Sequence, residues 1–292
     1  MSRNLELIFK HLAQRPSLLE VGVEAYRSYV ELGGLAFKPA KDITETPFSH
    51  RGIKGLWLTP DNAEPGRSLL HIHGGGFIAG SGNSYRDMGS RLAREARCPV
   101  LVFDYRLAPE HPFPAGLEDA QIVHHHLATT LDHPVALSGD SAGGNIAVAL
   151  VHQCIREQRP LPACLGLISP WLDLTGNAKS IITNKDKDPM LRPPDLAHTA
   201  TLYAGDHPLD HPRVSPLFGD FKGFPPSLIQ VGATEVLLDD SRTLARRLTK
   251  AGGQADLEIW DEMFHVWHYF ARYLKQGRQA LGDMGAFIRS HS

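Results

Sequence analysis

Five short apolar runs, at residues 69–72, 100–103, 135–137, 164–168 and 228–231, are separated by stretches that are each long enough to hold a helix. Runs of this length without polar alternation are the mark of strands buried on both faces, and helix-length spacers provide the crossovers that parallel strands need. The pattern restricts the chain to an α/β architecture: a mostly parallel central sheet flanked by helices. A further strand-like piece at 257–260 precedes a helical C-terminal region. Upstream, short pieces around Phe48-Ser49 and at 53–58, followed by the turn-rich Thr59-Pro60-Asp61-Asn62, fit an antiparallel edge. Leu5, Ile8, Phe9 and Leu12, then Val23, Tyr26 and Val30, recur at helical spacing and predict a helical N-terminal arm.

With 292 residues and 42% hydrophobic content, residues 1–292 can form one domain around one large core. Residues 177–216, an insertion after the sixth strand, carry charges, prolines and scattered aromatics without a clear strand. Structureless loops of that length are uncommon. This insertion and residues 1–45 are therefore expected to form a helical cap, with Asp188-Pro189-Met190-Leu191 and Leu202-Tyr203 in small helical pieces.

A net charge of −2 offers no basic field for a phosphate backbone, so nucleic acid is not an expected partner. The first ten residues mix charges into their apolar positions and lack a signal-peptide core. No later segment reaches membrane-spanning length. The expectation is a soluble cytoplasmic protein. Cys98, Cys154 and Cys164 are odd in number and form no C-x-x-C pair, which reads as buried free thiols. His124-His125-His126 falls in a helix-spaced stretch where consecutive side chains diverge and cannot converge on one ion, so neither metal nor cofactor is expected.

The run at 135–137 leads into Gly139-Asp140-Ser141-Ala142-Gly143-Gly144 and then a helix-like stretch. A serine on a sharp strand-to-helix bend presents its hydroxyl to a reacting carbonyl, and small neighbours let the chain turn. G-x-S-x-G alone is a weak signal; what matters is whether the rest of a site exists. His73-Gly74-Gly75-Gly76 directly follows the run at 69–72, and consecutive glycines leave backbone N–H groups bare enough to approach a tetrahedral oxygen. The expected oxyanion donors are Gly74 and Gly75, with Ala142 after the serine.

With these two motifs, and Asp104-Tyr105-Arg106-Leu107-Ala108-Pro109-Glu110-His111-Pro112-Phe113-Pro114-Ala115 between them, the chain resembles the hormone-sensitive-lipase-like branch of the α/β-hydrolase fold. The resemblance runs from about Leu69 to the C-terminal helix. In this fold the site follows the chain order serine, acid, histidine. The run at 228–231 ends in Gly232-Ala233-Thr234, and Glu235 then stands where the family pattern has an aspartate. Asp239 and Asp240 are the rival acids; their other reading is capping the following helix. After the strand at 257–260, His265 occupies the family's catalytic position, with His268 one helical turn later. The resemblance implies a serine carboxylesterase acting on small-molecule esters with short to medium acyl chains. An amidase, deacetylase or lactonase would use the same site, and the fold also serves non-catalytic small-molecule receptors, which are expected to lose the histidine. Phe77, Trp171, Met190, Leu191, Tyr203 and Trp267 are the candidate pocket residues. A homodimer is left open by the resemblance.

Overall fold

The computed structural model describes residues 3–292. Eight strands form one sheet: β1 (Ile43–His50), β2 (Ile53–Pro60), β3 (Ser68–Ile72), β4 (Val100–Phe103), β5 (Val135–Asp140), β6 (Leu165–Ile168), β7 (Ser227–Gly232) and β8 (Ala255–Trp260), in spatial order β1-β2-β4-β3-β5-β6-β7-β8. Only β2 runs against the others. The apolar runs are the central strands. Their successive residues alternate between two cores, Leu69, Val100 and Val102 packing on one side and Leu70, Leu101 and Phe103 on the other. That is why polar alternation is missing from them.

The edge differs in detail from the sequence reading. The β1–β2 hairpin turns at Arg51-Gly52, both with positive φ, while Thr59-Pro60 still belong to β2 and the chain turns after them at Asp61-Asn62, where the Ala63 amide donates to the Pro60 carbonyl at 3.0 Å. β1 also begins earlier, at Ile43, with an exposed polar face that gives little apolar signal.

The nine helices among the described residues are α1 (Arg3–Ala13), α2 (Leu18–Leu35, kinked at Gly22), α3 (Arg86–Ala96), α4 (Ala115–Thr130), α5 (Ser141–Arg156), α6 (Lys179–Thr183), α7 (Pro193–Ala204), α8 (Leu238–Lys250) and α9 (Lys275–His291). α3 and α9 cover one face of the sheet, while α4, α5 and α8 cover the other. None is long and apolar enough to cross a membrane. In α4 the three histidines diverge: His124 is buried with its Nδ1 3.9 Å from Cys154 Sγ, whereas His126 stacks on His50.

Within the insertion, residues 179–183 and 193–204 are helical as α6 and α7, but 188–191 form a bend, not a helix. Pro189 follows Asp188, whose Oδ1 accepts the amides of Met190 (2.9 Å) and Leu191 (3.0 Å). The N-terminal arm is tied to this insertion: Ser17 Oγ donates to Asp195 Oδ1 at 2.6 Å, and Arg192 donates to the carbonyl of Arg15 at 2.9 Å.

Asp240, at the start of α8, is buried and its Oδ2 accepts the amides of Leu172 (2.7 Å) and Asp173 (2.9 Å). Burial pushes its carboxyl up to about 7, against the pull of those two hydrogen bonds. The folded chain therefore keeps a proton that the unfolded chain has already lost, and this group makes stability fall as pH rises from about 4 to about 7. Asp240→Asn keeps the acceptor oxygen and removes the ionisation. Its melting temperature relative to the parent should be higher at about pH 8 than at about pH 5; parallel Tm–pH curves would refute this.

Candidate active site

β5 ends at Asp140, and Ser141 opens α5 with φ +50°, a backbone region that side chains with a Cβ rarely enter. The neighbouring glycines are forced by packing. A Cβ on Gly139 would lie 2.5 Å from the carbonyl oxygen of Gly143, and one on Gly143 would fall far inside the contact distance of the Ile72 carbonyl at the end of β3. The bend thus sets Ser141 at the helix start, where the first N–H groups have no intrahelical acceptor and favour negative charge.

Two other strand ends converge on this serine. His265, in the loop after β8, places Nε2 2.9 Å from Ser141 Oγ and Nδ1 2.8 Å from Glu235 Oε2. The carboxylate can only accept, so Nδ1 carries the proton and Nε2 offers its lone pair to the serine hydroxyl. Glu235, just beyond β7, is completely buried. Its Oε1 accepts Ser169 Oγ–H at 2.6 Å and Gly232 N–H at 2.6 Å, while Asn184 Nδ2 donates to its backbone carbonyl at 2.8 Å. The rival acids face elsewhere: Asp239 accepts Ser180 N–H and pairs with Arg242, and Asp240 caps the 172–173 amides. His268 bonds Gln230 Oε1 at 2.9 Å, and burial pushes its pKa down to about 3.

The glycine loop corrects one expectation. The Gly74 N–H donates to Asp140 Oδ1 (2.9 Å) and approaches the Tyr85 hydroxyl (3.0 Å), so it has no hydrogen to offer a substrate oxygen. Gly75 (φ +112°) and Gly76 (φ +63°) instead line the cavity beside Ser141 and His265, and neither amide has a protein acceptor among the described residues. Gly76, not singled out in the sequence, reaches the cavity because the loop swings inward one residue later than the motif's first glycine. Ala142 sits in the first turn of α5, where its amide lacks an intrahelical acceptor.

A cavity of about 460 Å³ leads down to Ser141. Of the candidate pocket residues, Trp171, Met190 and Leu191 line this cavity, but Phe77, Tyr203 and Trp267 do not. Phe77 and Tyr203 stack face to face with centroids 3.7 Å apart inside the core, and Trp267 is fully buried in the short 3-10 helix behind His265. Their apolar area is already spent on core packing. The cavity wall comes largely from residues unmarked in the sequence, including Tyr29 and Leu32 of α2, Leu196 of α7, and Tyr85 and Tyr269.

A serine, imidazole and carboxylate in hydrogen-bonded series, on a serine elbow over a parallel sheet, define an α/β-hydrolase-type acyl-transfer site. The comparisons agree. Residues 69–269 match the alpha/beta hydrolase fold family model. The chain is 42% identical over 236 residues to an acetyl-hydrolase of Streptomyces hygroscopicus, covering 80% of this chain and 79% of that protein. It is 32% identical over 289 residues to an esterase of Acinetobacter venetianus, covering 98% and 95%. The crystal structure of an esterase from the bacterial hormone-sensitive lipase family superposes with a TM-score of 0.95 at 37% identity, covering 100% of this chain and 99% of that one. The chain belongs to the α/β-hydrolase family, in its hormone-sensitive-lipase-like branch, and is a carboxylic ester hydrolase.

The tightness of the bend is directly testable. Gly143→Ala forces a methyl group against the Ile72 carbonyl and should destabilise the fold by about 1–3 kcal/mol or more in urea unfolding. A loss below about 1 kcal/mol would mean that the elbow has room to relax.

Proposed function

We propose that Ser141 is the nucleophile of ester hydrolysis, His265 its general base and then acid, and Glu235 the carboxylate that orients the imidazole. The observation that carries this reading is the unbroken series from Ser141 Oγ through both ring nitrogens of His265 to Glu235 Oε2, at 2.9 and 2.8 Å. As Ser141 attacks the carbonyl carbon, Nε2 takes its proton, and Glu235 stabilises the imidazolium that forms. The developing oxyanion is held by the amides of Gly75, Gly76 and Ala142. Nε2 then protonates the departing alcohol. Water then attacks the acyl carbon held on Ser141 as His265 takes its proton, and the second tetrahedral intermediate collapses with that proton passing to Ser141 Oγ as the acyl–oxygen bond breaks, releasing the acid and free Ser141.

The N-terminal arm and the 177–216 insertion act as the cap. Leu12, Leu32, Met190 and Leu191 come from these segments and wall the cavity, so the entering chain meets the cap before it reaches the serine. A cavity of about 460 Å³, in the range for small-molecule sites, fits short to medium acyl chains.

The test is an acyl-length series of p-nitrophenyl esters, from acetate to laurate, on the parent and its variants. Activity should peak at short to medium chains and fall for laurate. Ser141→Ala and His265→Ala should each lower kcat by about a thousandfold or more. Glu235→Ala should lower it by about a hundredfold or more, while Asp239→Ala stays within about threefold of the parent. Full activity of Ser141→Ala would end the assignment, and loss in Asp239→Ala with retention in Glu235→Ala would exchange the acid. An anilide of the best acyl group, run alongside, separates esterase from amidase preference.

A further inference from the structure

Beyond β6 the chain turns through Ser169, which is fully buried and holds φ at +47°. Its amide donates to the carbonyl of Gln230 in β7 at 2.7 Å. Its hydroxyl donates to Glu235 Oε1 at 2.6 Å and accepts the amide of Val266, next to His265, at 3.2 Å. Two residues on, the Trp171 amide donates to the carbonyl of Ser141 at 3.0 Å. A segment of three residues therefore touches the acid, the histidine loop and the serine elbow, although it contributes none of the three reacting groups.

The acid here is a glutamate. It has one more side-chain torsion than aspartate, and a carboxylate free to turn about it would leave the imidazole without a fixed partner. In this site Oε1 is held by two donors, the Ser169 hydroxyl and the Gly232 amide, and only Oε2 remains for His265. Gly232 allows this because a Cβ there would stand 3.1 Å from Oε1 and collide with the Met263 carbonyl. Ser169 is the one side chain among these donors, and the one whose hydroxyl also fixes the loop that carries the histidine.

We propose that Ser169 is a positioning residue for ester hydrolysis: its hydroxyl locks the Glu235 carboxylate and the 265–266 backbone into register, which fixes the extra torsion of a glutamate in the acid position. This rests on the assignment of Glu235 as the orienting acid. Hydroxyl and carboxylate act as one unit, so removing the hydroxyl should reduce turnover more than substrate binding, and only while the carboxylate is present.

The experiment is a double-mutant cycle on p-nitrophenyl butyrate with Ser169→Ala, Glu235→Gln and the double variant, reading kcat and KM separately. Ser169→Gly joins as a second route, because glycine accepts the positive φ and relieves the backbone while deleting the same hydroxyl. The expected result is a fall in kcat of about tenfold or more for both Ser169 variants, with KM within about twofold. In the Glu235→Gln background the same substitution should change kcat by less than about twofold. Parent-like kcat in Ser169→Gly, or an undiminished further loss in the Glu235→Gln background, overturns the proposal. Parent-like kcat in Glu235→Gln alone instead removes the acid assignment, and this inference falls with it.

Discussion

The contact on which the site depends is backbone against backbone: the first turn of α5 lies so close to the end of β3 that Gly143 has no room for a Cβ beside the Ile72 carbonyl. β3 and β5 are parallel neighbours with Ile72 opposite Gly139, so the chain leaving β3 and the chain leaving β5 emerge side by side. One then becomes the glycine loop and the other the serine elbow. Their proximity is a product of sheet register, which alone brings the glycine loop beside the serine. The positive φ of Ser141 is a local cost of order 1–3 kcal/mol, borne by a fold that over-determines the bend from both sides.

Beneath the elbow lies a buried polar layer that would be expensive if any member lacked a partner. Asp140 is 1% exposed and takes the Gly74 amide on Oδ1 and the Tyr85 hydroxyl on Oδ2 (2.8 Å), with His71 Nε2 3.3 Å from Oδ1. The Tyr105 hydroxyl donates to the His73 carbonyl at 3.0 Å. Burial, reinforced by the nearby Asp140 charge, raises both tyrosines well above their usual range, so they stay protonated and act as donors. The residue that precedes the serine in the motif thus fixes the entrance of the glycine loop. Because Asp140 consumes the Gly74 amide, the loop must turn through Gly75 and Gly76 to present free N–H groups, and their positive φ values are the signature of that turn.

This accounts for which parts of the molecule the sequence made legible. Central strands could be read because burial on both faces erases polar alternation, and Ser141, Glu235 and His265 could be singled out because each lies within a few residues of the end of β5, β7 or β8. Which glycine amide faces the cavity depends on φ values decided by Asp140 across the sheet, and nothing in His73-Gly74-Gly75-Gly76 encodes that partner locally. Phe77, Tyr203 and Trp267 lie away from the cavity for a related reason: an aromatic near the site in sequence is drawn to whichever apolar surface is nearer, and for these three it is the core. Ser169 has no local signal at all. It is one serine before a proline, and only the convergence of β6, β7 and the loop after β8 gives its hydroxyl two partners.

The insertion after β6 shows how closely cavity wall and site are joined. Asn184 donates to the carbonyls of Ala233 and Glu235, and Asp188 Oδ2 accepts the Val236 amide at 3.0 Å, so one short segment grips the loop that carries the acid. The same Asp188, through Oδ1, shapes the bend that delivers Met190 and Leu191 to the cavity, and Arg15 of the N-terminal arm donates to the Met190 carbonyl. Asp188 is buried, and desolvation raises its pKa, yet three backbone amides satisfy it. Displacing the wall at Met190 would pull on the hydrogen bonds at 233–236. Shape at the cavity wall and alignment of the carboxylate are therefore not independent variables in this chain, because a single buried aspartate serves both.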